Sequence, residues 1–179
     1  VPYLFWFIYV AGSVAYFLFR RPKKEFYRMT GLLFTGMTIC LTICTLFPNG
    51  QTMRPPVNPD KNIFSWLIVA LYKTDTSTNV FPSIHVFASL GVNLAWWNCP
   101  VSQKHKWIRP VSTLTAVSIC LSTVFLKQHS VLDGLAAIVL TIVLYFFFYQ
   151  PEFTRASAKA ARERTKERAK TNKPLWLQK

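Results

Sequence analysis

Acidic residues are scarce in this chain: 7 Asp and Glu stand against 21 Lys and Arg in 179 residues. Beside a 51% hydrophobic composition, that excess requires apolar and basic residues to be segregated along the chain. Histidine is scarcer still, at 3. The 4 cysteines, Cys40, Cys44, Cys99 and Cys120, include no CxxC pair. Cys40 and Cys44 fall on one helical face, where a disulfide across two turns would be strained, so they read as small apolar packing residues and do not report a redox compartment. No internal repeat is present. The opening apolar run lacks the charged leader and small-residue cleavage site of a signal peptide and reads as a structural span.

What the chain has instead is long hydrophobic runs, at 1–19, 31–47, 81–97, 108–126 and 132–149. Each is close to the roughly 20 helical residues that a hydrocarbon core requires. The expectation is an all-α, integral-membrane helical bundle with five transmembrane helices. Because the sequence opens on Val1 inside an apolar run, a sixth, upstream helix is expected in the full protein. The ten-residue stretch 63–72, IFSWLIVALY, is too short to cross and reads as an interfacial helix with Trp66 and Tyr72 at headgroup depth. Residues 1–150 form the expected transmembrane catalytic domain, with its motifs in 46–134, and 151–179 a basic cytoplasmic tail of helical composition.

Basic residues mark cytoplasmic loops. With RRPKKEFYR (20–28) inside, alternate crossing places seventeen of the basic residues inside and only Arg54, Lys61, Lys73 and Lys127 outside. The tail KAARERTKERAKTNK (159–173) could bind a polyanion through counterion release. Attached to a membrane span it is a topology signal and a solvated helix able to rest on anionic headgroups, so no nucleic-acid partner is expected. His105 belongs to the basic loop, and Trp96 and Trp97 read as an interfacial belt.

This topology gathers the remaining polar residues at one depth on the outer side: Arg54, Ser83 and His85, Lys127, and His129 with Asp133. Ionisable residues beside apolar segments are costly and are functional candidates. His129 and Asp133 are four apart, which on a helix sets them on one face. A carboxylate there can hold one imidazole nitrogen and leave the other as an outward lone pair. In NVFPSIH (79–85), Pro82 suits a first helical turn and Asn79 could cap it, which would turn free N–H groups and Ser83 toward an anion, with His85 one turn further in. A helix start, a cation and two histidines are the parts phosphoryl transfer needs. In that reading His129 attacks phosphorus and His85 protonates the departing oxygen. A metal site from His85, His129, Asp133 and Asp75 is the competing use; the ligand types suit zinc, but His129 and Asp133 are the one short-spaced pair.

At these residues the sequence resembles the type 2 phosphatidic acid phosphatase superfamily of membrane lipid phosphatases and phosphotransferases. Pro82-Ser83-Ile84-His85 is similar to its second motif, Pro-Ser-Gly-His. Ser122-Thr123, five residues, His129, three residues, Asp133 is similar to its third, and Arg54-Pro55 to the end of its first. The resemblance spans about residues 31–150. It implies His129 as nucleophile, Asp133 as its orienting partner, His85 as general acid and base, and no cofactor or metal. Phe47 stands where the first motif has Lys, and Thr123 where the third has Arg, so Lys127, Lys73 or Lys61 would have to serve with Arg54 in holding phosphate. FPSIH, the divergent first motif and Gln-His-x-x-x-Asp look closer to the branch that includes inositol phosphorylceramide synthases than to ordinary lipid phosphatases.

The expected activity is metal-independent hydrolysis of a lipid phosphate ester through a phosphohistidine, at the extracytoplasmic face of a multi-pass membrane protein. The alternatives are transfer of the phosphoryl-bearing headgroup to an alcohol, and an inactive transport or structural membrane protein. The expected partners are the phospholipid or lipid phosphate substrate and the surrounding membrane lipids.

Overall fold

A computed structural model describes residues 2–150, and the expected tail helix in 151–179 lies outside them. The described residues form seven α-helices, α1 (Pro2–Arg20), α2 (Lys23–Leu46), α3 (Ile63–Thr74), α4 (Ile84–Asn98), α5 (Pro100–Lys104), α6 (Ile108–Phe125) and α7 (Val131–Gln150), and a short 3-10 turn at Pro59–Lys61. Among the described residues there is no strand; Gly50 and Thr78 form a single antiparallel bridge between two loops.

Four helices, α1, α2, α6 and α7, are long and apolar enough to cross a membrane, the pattern of a multi-pass membrane protein. Their outward faces are apolar as well: Ile8, Phe19, Phe34, Leu41, Leu114, Leu121, Val139 and Phe147 are all exposed. A helix apolar on every side suits a lipid surrounding rather than water.

Of the five expected spans, the one in 81–97 is not among these four. The run 81–97 looks continuous, but the helix begins only at Ile84 and has 15 residues, about 22 Å at 1.5 Å per residue. Its N-cap is Ser83, whose side chain accepts from Val86 N–H, so Pro82 and Asn79 lie outside the helix rather than in its first turn. A short α4 is tolerated because its neighbours enclose it. Phe87, Ala88 and Val92 are fully buried, and α4 packs on α1, α2 and α6.

Small residues allow that enclosure. At Gly36 an added Cβ would lie 1.9 Å from the Phe87 ring, and at Gly91 2.8 Å from Leu32. The α2 and α4 backbones approach closely because these positions carry no side chain. Polar side chains fasten the other faces. Asn93 of α4 accepts from Ser112 Oγ of α6 at 2.9 Å, Tyr9 of α1 bonds Ser112 Oγ at 2.7 Å, and Trp96 Nε1 donates to Ser13 Oγ at 3.0 Å.

The stretch expected to be interfacial is α3, capped by the Asn62 side chain accepting from Ser65 N–H at 2.8 Å. The loops 47–62 and 75–83 and the turn 126–130 meet at one end of the bundle. Gln51 N donates to Ser77 O at 2.9 Å, and Gln51 Nε2 donates to Gln128 O at 2.8 Å.

The α2–α4 contact predicts that Gly36→Ala lowers stability by about 1–3 kcal/mol through overpacking. Gly12, where an added Cβ meets nothing within 4 Å, is the control. Thermal unfolding in detergent should show a lower midpoint for Gly36→Ala and none for Gly12→Ala.

Candidate functional site

The local sequence around His129 forces a reversal. Lys127 takes a left-handed backbone at φ 53, and Gln128 N and His129 N both donate to Thr123 O, at 2.9 and 3.2 Å. His129 therefore precedes α7, and its side chain turns inward, 8% exposed. The four-residue spacing to Asp133 is not a spacing along one helix. Ser130 and Asp133 form a reciprocal cap, Ser130 N–H donating to Asp133 Oδ2 at 2.7 Å and Asp133 N–H to Ser130 Oγ at 3.2 Å, which satisfies α7's first turn.

Segment 80–83 lies against this turn. His129 Nδ1 is 2.9 Å from Val80 O, and Ser83 N donates to Asp133 O at 3.2 Å. A carbonyl only accepts, so His129 Nδ1 carries the hydrogen and Nε2 presents its lone pair. That nitrogen faces His85 Nδ1 at 3.3 Å. Asp133 Oδ2 sits 3.7 Å from His129 Nδ1, near enough for electrostatic support but beyond a hydrogen bond. The direct orienting contact to His129 is thus the Val80 carbonyl.

His85, on the first turn of α4, lies between aromatic rings, with centroids of Tyr3 and Trp6 each 4.7 Å from its own. Its Nε2 is 2.9 Å from the Tyr3 hydroxyl, which donates to Asp75 Oδ2. A cleft of about 470 Å³ runs between α1 and α3, walled by Leu4, Phe7, Leu67 and Leu71, and ends at Tyr3, Asp75 and His85.

The expected phosphate-binding residues are placed differently from one another. Ser83 is fully buried, and its hydroxyl serves α4 as the cap rather than facing an anion. Lys127 is exposed. Arg54 reaches the site, donating to Tyr72 O at 3.3 Å, to Asp75 O at 2.6 Å and to Gln128 Oε1, with its guanidinium over the Tyr72 ring. Its Nε and Gln128 Nε2 are buried donors without a partner. Thr123, fully buried, donates its hydroxyl to Cys120 O, and Phe47 is 70% exposed, so neither position brings a cation.

The four side chains of the competing metal reading do not converge. Asp75 approaches His85 through Tyr3, and Asp133 lies on the Nδ1 side of His129, away from the His85 contact. Among the described residues no group of three His, Cys, Asp or Glu side chains is arranged to hold a metal ion. Sequence reasoning missed Tyr3, Val80 and Gln128. A tyrosine in an apolar run and a backbone carbonyl give no signal; a glutamine beside the inward-turned His129 gives a weak one.

No family model, curated protein or solved structure matches the chain.

Burial pushes His129 below the ordinary histidine range; Asp133 and the Val80 carbonyl oppose the shift, and the Arg54 charge reinforces it. The unfolded chain takes up this proton near pH 6.5, while the folded protein resists it until lower pH. Stability contributed by this group is thus present above about pH 6.5 and lost as pH falls through that range. Denaturation midpoints measured from pH 7.5 to 5 should decline in the native chain, with a smaller decline in His129→Gln.

Proposed function

We propose that this protein is a membrane lipid phosphatase that hydrolyses a phosphate ester through a phosphohistidine on His129, without a metal. The observation that carries the reading is the facing pair, His129 Nε2 and His85 Nδ1 at 3.3 Å, with the far nitrogen of each ring already held by a fixed partner. An oriented nucleophile beside an oriented acid is what transfer of a phosphoryl group asks of a protein.

In the first half-reaction, His129 Nε2 forms a bond to phosphorus as the bond to the lipid oxygen breaks, and that oxygen takes a proton from His85 Nδ1. Water then gives a proton to His85 and attacks phosphorus, freeing His129. Attacking and departing atoms lie on opposite sides of phosphorus, so the two nitrogens must separate to admit it. Arg54 Nε and Gln128 Nε2, buried and unpartnered, are the donors at hand for phosphate oxygens. Arg54's charge and Gln128 thereby take up the work that Phe47 and Thr123 cannot do, with Asp133 as an electrostatic support of His129.

The apolar walls of the α1–α3 cleft support a lipid as substrate, entering sideways with its chain along Leu4, Phe7, Leu67 and Leu71. The asymmetry of basic residues between alternate loops supports an extracytoplasmic site and a cytoplasmic tail. The same cleft could present a lipid hydroxyl to His85, so headgroup transfer to an alcohol is the second reading; it shares the first half-reaction.

The test is release of phosphate from a lipid phosphate monoester in the presence of chelator, with and without an added alcohol acceptor. His129→Ala should lose at least about 10³-fold, as removal of a nucleophile does, and His85→Ala about 10²–10⁴-fold. Release that needs zinc, or that survives His129→Ala, contradicts the mechanism; transfer to the alcohol without release selects the second reading.

A further inference from the structure

Resting on that reading, we infer that Tyr3 and Asp75 are the positioning pair of the general acid, doing for His85 what the Val80 carbonyl does for His129. Tyr3 is 2% exposed, and its hydroxyl touches both the Asp75 carboxylate and His85 Nε2, the latter at 2.9 Å. A phenol has one proton to give. Having donated it to Asp75, the Tyr3 oxygen accepts from His85, so His85 carries hydrogen on Nε2 and turns its Nδ1 lone pair toward His129.

The consequence is chemical. When Nδ1 takes up the acidic proton of the bound phosphate monoester monoanion, the proton destined for the departing oxygen, His85 becomes an imidazolium whose other N–H still points at Tyr3. The positive charge is then balanced by Asp75 through one hydroxyl, and the ring stays fixed between Tyr3 and Trp6. After Nδ1 gives up its proton as the P–O bond breaks, the ring returns to the same neutral tautomer, ready to accept one from water. Neither Tyr3 nor Asp75 reaches the reacting atoms. A neutral histidine lacking this pair could carry its hydrogen on Nδ1 instead, aimed at the nucleophile's lone pair, which would occupy it.

This role separates substrates by leaving group. An alkyl oxygen needs a proton as it departs, whereas p-nitrophenolate does not. With the full chain in lipid nanodiscs, Tyr3→Phe and Asp75→Asn should lower kcat/KM, which reports formation of the phosphohistidine and not its hydrolysis, roughly 10–100-fold on an alkyl lipid phosphate and leave kcat/KM for p-nitrophenyl phosphate within about 3-fold, the mark of an assisting acid. Equal losses on both substrates, or none on the alkyl ester, would overturn the inference, because a merely structural role does not distinguish leaving groups.

Nitrogen-15 NMR of labelled histidine supplies a reading independent of turnover. His85 should show a protonated Nε2 and an unprotonated Nδ1 at neutral pH in the native chain, and a mixture of tautomers in Tyr3→Phe. An unchanged tautomer in Tyr3→Phe overturns the inference. Should the native chain hydrolyse neither ester, the functional reading fails, and the tautomer experiment still decides the role of Tyr3 and Asp75.

Discussion

Two contacts join the segment before α4 to the start of α7 and the turn that precedes it, and the candidate site depends on them. Val80 O holds His129 Nδ1, and Asp133 O receives Ser83 N–H. Each histidine sits within two residues of a helix start, so the join sets both ring positions together. The caps strengthen it. Ser83 on α4 and the Ser130–Asp133 pair on α7 satisfy first-turn amides that would otherwise be unpaired in a largely apolar surrounding. Loosening one contact would move His129 relative to His85.

The recess that receives these groups follows from the shortness of α4. Glycines at 36 and 91 draw α4 against α2, and helices long enough to cross a membrane surround it. Because α4 stops short, the loops 47–62 and 75–83 and the turn 126–130 fold over its start. Their backbone is irregular but has internal partners: Arg54 bonds two carbonyls, and Gln51 the Gln128 carbonyl. Irregular backbone beside apolar helices is tolerated when protein groups satisfy it. Arg54 therefore does structural work with its terminal nitrogens while its Nε stays a buried donor without a partner.

Much of this was legible in the sequence, for identifiable reasons. Long apolar runs bounded by basic loops gave the helices and their order, since that pattern reflects a large transfer free energy. The three polar candidates His85, His129 and Asp133 stood out because so few ionisable residues interrupt the apolar segments, and the fold places them side by side. What failed to show was local geometry. The register of the cap at Ser83 rather than Asn79, and the position of His129 before α7 rather than on it, depend on one or two backbone dihedrals that hydropathy does not encode. Tyr3 was hidden because an aromatic residue in an apolar run looks like packing, and its hydroxyl acquires a role only when α3's end brings Asp75 across.

The central claim is that His129 Nε2 accepts the phosphoryl group, and trapping that intermediate tests it most directly. Rapid acid-free quenching of the native chain with a phosphorus-32-labelled lipid phosphate, followed by peptide mapping, should find an acid-labile, alkali-stable phosphoramidate on His129. The adduct should be absent from His129→Gln. Label on a different residue, or turnover with no covalent adduct at any quench time, would contradict the account.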